Sequence, residues 1–356
     1  MRGRLFRYAL AWRYTVHLRK PLLLLRLLKN AFLVYVCRRP LLRYVDMSLD
    51  FACNLHCSHC FNEAFTRDDG TRQLTNANYR SLAAQCRRLG AISFSFQGGE
   101  PFLFPDKLAE VIPCFSPRSS LISVSTNGTL CTAENLHRLH KLGVDILTIS
   151  IDSGLPEEHD AFRNAPGSFA KAMRSIDLAL AEGFRVTIGT TVSHQNVNSA
   201  GLKKIMDYAC TKHCLLVLIL AVPAGRWEAN DDILLTEKDL EMIDVYCRDT
   251  PFVQTDLEGN YLHRGCGAMK EILYLTPYGD VLACPFLHIS FGKTPEEAIA
   301  TIRTRALQNN YLNIYWPRCL AAADDQFREH IMSQLEGKKR LPVAAEDIRW
   351  QGTSQI

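Results

Sequence analysis

The first 44 residues contain no aspartate or glutamate, against eleven lysines and arginines. Serine is missing from the same stretch, which argues against a transit peptide despite its basic, leucine-rich character. A long hydrophobic run is missing too. The longest apolar stretches, Leu22–Leu25 and Ala31–Cys37, are set off by Arg26 and Lys29 and fall far short of the ~18–20 residues that cross a bilayer. Further along there is no serine–histidine–acid set, phosphate-binding loop, His-Glu-x-x-His pair or cobalamin-binding segment. The eleven histidines are scattered without metal-like spacing.

What the opening segment does have fits two basic amphipathic helices separated near Pro21, with Phe6, Tyr8, Trp12, Tyr14 and Phe32 among the arginines. At about 1 kcal/mol per Lys or Arg near an anionic bilayer, such a segment suits peripheral membrane contact. Packing on the protein itself, or on a partner, is the competing expectation. No nucleic-acid module accompanies the charge, so no nucleic acid is expected. Outside residues 1–44 the balance reverses, to 30 basic against 37 acidic residues.

At 356 residues, with 47% hydrophobic and 22% charged side chains, the chain reads as a globular protein with a main domain and a smaller one. Thirteen cysteines without a secretory leader point to a reducing, cytoplasmic setting, where thiols serve metals or stay free.

From residue 45 short strands alternate with helical stretches, the pattern of a parallel α/β fold. The expected strands are Val45–Phe51, Ala91–Gln97, Leu121–Thr126, Val144–Asp152, Arg185–Val192 and Leu215–Val222. Helices are expected at Asn76–Leu89, Ala133–Leu142, Ser168–Glu182 and Ala200–Lys212. Six such units predict a partial (β/α)6 barrel. The strands alternate where doubly buried parallel strands usually read as apolar runs. Phe94 and Phe96 are set against Ser95 and Gln97, and Leu147, Ile149 and Ile151 against Thr148, Ser150 and Asp152. With helices outside, the polar set points inward and lines the barrel for a polar ligand.

Three cysteines, Cys53, Cys57 and Cys60, follow the first expected strand. A closed 4Fe–4S cube takes four cysteines and a structural zinc site four ligands. A three-cysteine set instead leaves one iron of a cube open to bind something else. Gly98-Gly99-Glu100-Pro101 ends the second expected strand, Asn127-Gly128 the third, and Ser150-Ile151-Asp152 the fourth. In parallel barrels these C-terminal strand tips carry the chemistry.

The CxxxCxxC spacing, Gly98–Pro101, Ser125–Thr129 and Ser150–Asp152 together resemble the radical S-adenosylmethionine (radical SAM) superfamily over roughly residues 45–225. The resemblance implies an α/β, partial TIM-like barrel and an enzyme. Its 4Fe–4S cluster, on Cys53, Cys57 and Cys60, reductively cleaves S-adenosylmethionine to a 5′-deoxyadenosyl radical that takes hydrogen from substrate. It also implies that Gly98, Gly99, Glu100 and Pro101 contact the methionine end, that Phe61 lies near the adenine, and that Asn127, Ser150, Asp152 and Arg163 contact ribose or carboxylate. Thr191 and Val222 border the adenine in the same reading.

Leu275–Pro285, with a Gly279-Asp280 turn and Cys284 at its end, resembles the hairpin of SPASM and twitch auxiliary domains. Cys266 and Cys319 complete a three-cysteine set, fewer than a full SPASM domain, which favours one auxiliary cluster. The expected layout is a basic extension over 1–44, a barrel over 45–235, an auxiliary domain over 236–335 and a polar tail over 336–356. A peptide substrate leads, with a lipid or other small molecule at the membrane as the alternative. The cleavage needs an electron, so a reducing partner such as flavodoxin or ferredoxin is implied. A redox sensor would need the cysteines but has no use for Gly98–Pro101 or a polar lumen.

Overall fold

The computed structural model describes residues 10, 12–17, 19–65, 72–261 and 265–350. Strands β1 (Tyr44–Ser48), β2 (Ser93–Gln97), β3 (Leu121–Thr126), β4 (Ile146–Ser150), β5 (Arg185–Val192) and β6 (Leu215–Leu220) run parallel as consecutive neighbours. The connecting helices begin where side chains cap them. Thr75 and Thr132 form capping boxes with Asn78 and Asn135 at the starts of Asn76–Arg88 and Ala133–Lys141. Ser199 accepts from the Leu202 N–H ahead of Ala200–Lys212.

The two faces of the sheet separate as the alternation requires. Phe94, Phe96, Ile122, Val124, Leu147, Ile149 and Ile188 are fully buried in the main core. Gln97, Ser125, Thr148 and Ser150, on the opposite face, are only half-buried and line an internal cavity.

Beyond these six the sheet gains three strands, two of which are the arms of the hairpin expected around Gly279-Asp280. β7 (Val253–Thr255) adds to β6, β8 (Ile272–Leu275) lies parallel beside β1, and β9 (Val281–Leu282) pairs antiparallel with β8. The sheet therefore has nine strands, in the order β7-β6-β5-β4-β3-β2-β1-β8-β9. The sheet runs across the expected boundary between 235 and 236, since β7, β8 and β9 from 236–335 join it.

The polar-tail expectation also needs correction. β10 (Ile289–Ser290) pairs with β11 (Val343–Ala344), Leu341 and Ile348 are buried in the core, and Trp350 packs against Phe291. A few apolar residues set among charges suffice to anchor this stretch as far as residue 350. Residues 351–356 lie outside the described residues.

Beneath the barrel runs helix α1 (Pro21–Ala31), continued by a wider turn over Phe32–Val36. Its Leu23 packs on Ile92 and Leu121 at the starts of β2 and β3. Lys20 Nζ meets the Asp145 carboxylate at 2.5 Å and the Ser120 carbonyl at 3.1 Å. Asn30 Nδ2 donates to the Gly90 carbonyl at 2.7 Å, and Arg26 Nη1 to that of Ser119 at 2.7 Å. Tyr14 donates to the Val186 carbonyl at 2.6 Å and accepts from the Leu215 N–H at 2.9 Å. The described part of the extension thus caps the N-terminal ends of the strands. Phe6 and Tyr8 lie outside the described residues.

Candidate functional site

At the opposite, C-terminal end of the strands a cavity of about 250 Å³ gathers most of the residues that the motifs singled out. Cys53, Cys57, Cys60, Phe61, Gly98, Gly99, Asn127, Ser150 and Arg163 all line it, as do Thr191 and Val222. Glu100, Pro101 and Asp152 do not.

The cysteine loop is held there by backbone contact. Gly99 N–H donates to the Asp50 carbonyl and Glu100 N–H to that of Ala52, both at 2.9 Å. A Cβ on Gly99 would stand 1.8 Å from the Ala52 carbonyl oxygen, and one on Gly98 2.3 Å from that of Asp50. Only glycine allows this approach. At the other end of the loop, Arg226 N–H donates to the Cys60 carbonyl at 3.1 Å, and Gly225, at φ +66°, sits where a Cβ would be 2.2 Å from that oxygen.

Polar groups attend the thiols directly. The Leu55 N–H reaches Cys53 Sγ at 3.4 Å, Asn127 Nδ2 reaches it at 3.9 Å, and Arg163 Nη1 lies 3.7 Å from Cys57 Sγ. Burial pushes the Cys53 thiol up to about 11, with Glu100 and the other two cysteines adding to it. Burial likewise raises Cys60. Such thiols stay protonated until a cation takes up their charge.

Arg163 is fixed by Asp152, its Nε lying 2.6 Å from Asp152 Oδ2 in a buried pair. Burial works against the Asp152 carboxylate, but Arg163, then His59, His159 and the Thr191 N–H, outweigh it and hold its pKa below the usual value. Asp152 therefore acts here by aiming Arg163. The Glu100 carboxylate is likewise consumed, accepting from Phe102 N–H at 3.0 Å, Thr126 Oγ1 at 2.7 Å and Asn127 N–H at 2.8 Å. It ties the β2 tip to the β3 tip.

Two buried polar atoms of cavity residues, Gln97 Nε2 and His59 Nδ1, have no hydrogen-bond partner. Unmatched buried polar groups are costly and mark places where a ligand completes the bonding. His59 stacks on Phe162 with ring centroids 4.5 Å apart, and burial pushes its pKa down to about 3, so it is neutral.

Residues that the motifs did not flag complete the site. Asn62, buried, donates to the Gly98 carbonyl and accepts from Tyr274 OH at 3.2 Å. Trp227 and Phe286 form part of the cavity wall. Each is a lone residue brought in by tertiary structure; Asn62 and Phe286 lie two residues after Cys60 and Cys284, and Trp227 has no such sequence signal.

Cys266 and Cys284 also lie close enough to Cys319 to add to the upward push that burial gives its thiol. Cys266 bridges to Trp316, its N–H donating to the Trp316 carbonyl at 2.7 Å, and Gly265 permits that approach. Burial pushes Cys284 up to about 12 and raises Cys319 further. Asp256 lies beside both. Among the described residues no three acidic, histidine or cysteine side chains are gathered tightly enough for a single metal ion. Three thiols in each set match a cube, which takes one thiolate per iron and spreads its ligands wider than a zinc ion does. Phe286, two residues after Cys284, packs edge-on against Phe61 at 5.1 Å and so touches the first cavity.

Comparison with known proteins agrees with this geometry. The Radical SAM superfamily profile matches residues 48–209. The AdoMet-dependent heme synthase of Methanosarcina barkeri is 30% identical over 192 residues, 54% of either chain. The mycofactocin maturase of Mycobacterium tuberculosis is 29% identical over 252 residues, 67% of this chain and 63% of the relative. The chain thus spans about half the length of the first of these relatives. The crystal structure of Streptococcus suis SuiB bound to precursor peptide SuiA superposes with a TM-score of 0.60 at 14% identity, over 81% of this chain and 71% of that one. The fold is shared, and the match falls on the segment that builds the cavity. Residues 48–209 of this chain form a radical SAM domain.

Proposed function

We propose that the protein is an enzyme that holds a 4Fe–4S cluster on Cys53, Cys57 and Cys60, binds S-adenosylmethionine in the adjoining cavity and abstracts hydrogen from a peptide. The observation that carries this reading is the meeting of three thiols, the Gly98–Gly99 cradle and unpaired polar groups in one cavity. The cluster and S-adenosylmethionine, when bound, supply the radical chemistry. The chain's own residues bind and orient. Arg163, aimed by Asp152, offers a cation between Cys57 and the cavity for a carboxylate. Asn127 and the Leu55 N–H steady Cys53, and N–H groups on cluster sulfurs are among the devices that set potential. Thr148, Ser150 and Thr191 line the wall with hydroxyls, while Phe61, Trp227 and Phe286 exclude water from it.

Cys266, Cys284 and Cys319 hold one auxiliary cluster in this reading. The peptide assignment draws on SuiB, solved with a precursor peptide, and on the relative named a maturase. A reducing partner such as flavodoxin or ferredoxin supplies the electron, in the cytoplasm and at a membrane surface.

Anaerobic reconstitution tests the reading. The intact chain takes up about eight irons, four per cube. Replacing Cys53, Cys57 and Cys60 with alanine halves the iron and abolishes 5′-deoxyadenosine formation. Replacing Cys266, Cys284 and Cys319 also halves the iron but spares that formation. Continued 5′-deoxyadenosine release by the first triple variant overturns the proposal.

A further inference from the structure

We infer that the underside of the barrel docks on an anionic lipid bilayer, with the cysteine cavity turned to the aqueous side. This rests on the membrane placement above and adds to it the contact residues and the orientation.

The inner face of α1 is committed to the protein through Lys20, Leu23, Arg26 and Asn30. Its outer face is therefore fixed outward, and it is apolar. Leu22, Leu25, Leu28, Phe32 and Val36 recur at helical spacing and are 55–65% exposed. Trp12 is 63% exposed. Of the ten large hydrophobic residues left exposed among the described residues, seven lie between Trp12 and Val36, and the other three reach only 37–38%. A contiguous apolar stripe of this kind on a soluble surface marks an interaction site.

Charge says what covers it. Exposed Arg19, Lys29, Arg38 and Arg39 flank the stripe. Trp12 and Leu22 also stand at an open groove of about 1270 Å³ that carries Arg13, Arg118 and Lys141. The two acids in that groove are already engaged, Asp145 by Lys20 and His17 and Glu182 by His137 and His140. Apolar side chains between diffuse cations, on a helix that lies flat on its own protein, match an anionic interface, which asks for insertion depth and positive charge and no shape complement. Among the described residues no helix is long and apolar enough to cross a membrane, and the inferred contact is a peripheral one.

The orientation follows from topology. Every anchor of α1 sits where strands begin, and the cavity sits where they end. β2, β3 and β4, of five to six residues, put roughly 17–20 Å between the two ends. A substrate then reaches the cavity from water, which disfavours a bilayer-buried lipid.

The test uses full-length reconstituted protein and vesicles of phosphatidylcholine alone or mixed equally with phosphatidylglycerol. The intact chain co-sediments with the mixed vesicles and is released by salt. Leu25→Glu with Phe32→Glu lowers the bound fraction at least about tenfold, while 5′-deoxyadenosine formation in solution is unchanged. Each of Arg38→Glu and Arg39→Glu costs roughly fivefold or more. Brominated lipid quenches the emission that Trp12→Phe removes. Equal sedimentation of wild type and L25E/F32E overturns the docking surface, as does a wild-type dimer that L25E/F32E converts to monomer. Quenching of the emission that Trp227→Phe removes overturns the orientation. Loss of 5′-deoxyadenosine formation in the cysteine variants concerns only the enzymatic reading, so the two failures are distinguishable.

Discussion

At the underside of the barrel the buried charges are answered within the fold. Asp145 is met by Lys20, by His17 at 3.2 Å and by the Ile122 N–H at 2.8 Å. At the upper end, one strand length away, polar atoms of Gln97 and His59 are left without partners and thiols are held protonated by burial. The underside keeps one such atom, Arg43 Nε, with the Glu271 carboxylate 3.6 Å away, whereas the upper end gathers two of them beside three thiols. Buried polarity by itself therefore says little about function. Buried polarity without a partner, next to thiols, says a great deal.

The sharpest way to break the contrast is at Gly99. A Gly99→Val change puts side-chain atoms where Ala52 backbone already stands, so the cysteine loop must shift. We expect loss of the primary cluster's iron and at least about a hundredfold less 5′-deoxyadenosine, since displacements near 1 Å have that cost. The measurements are iron per chain and product release, and near-normal values would remove the cradle from the argument. Next in size is Lys20→Met, which strands the Asp145 charge under α1. Removing one partner of a buried pair costs about 3–5 kcal/mol. Denaturant unfolding should show that loss, with cofactor cleavage surviving under native conditions.

A smaller, pH-dependent effect is expected at Asp46 on β1. Burial pushes its carboxyl up to about 7, and the hydrogen bonds of Ser95 and Tyr44 only partly oppose this. The folded state thus favours the protonated acid, while the unfolded chain ionises near 4. Stability from this group is present at low pH and is lost as pH rises between about 4 and 7. Asp46→Asn should stabilise the protein at pH 8 by about 2–4 kcal/mol and by almost nothing at pH 4. A constant difference across that range would show that the change acts through packing. The smallest effect belongs to the surface. Arg138 meets Asp106 at 2.6 Å, but both are largely exposed, and Arg138→Ala should leave the unfolding midpoint unmoved.

What was legible in the sequence divides along the same line. β1–β6 and their helices were readable because alternation of period two and capping residues are local signals, and β3, β5, Ser168–Glu182 and Ala200–Lys212 fall at the expected bounds. β7 has three residues, too few to show a period, and nothing local announces that β8, one arm of the expected hairpin, also pairs with β1 far away in the chain. The thiols and glycines were readable because their spacing is fixed by a short loop. The duties of Glu100 and Asp152 were not, because an acid that points at ligand and an acid that points at Thr126 or Arg163 look alike in a string of letters. The N-terminal helices were visible as amphipathic, but the sequence cannot say which stripe is taken. Lys20, Arg26 and Asn30 face inward here, and leucines face out.

The two-sided grip on the cysteine loop bears on when the protein can be metallated during its synthesis. All three primary cysteines leave the ribosome by residue 60, yet the grip comes from Gly98–Glu100 and, much later, from Gly225 and Arg226 against the Cys60 carbonyl. Until residue 226 has emerged and β6 has docked, the thiols sit on a tethered but open loop with only half of its backbone partners. The last primary cysteine and the last brace on its loop are thus 166 residues of synthesis apart, and a chain cut short anywhere between them would carry all three thiols without the complete grip.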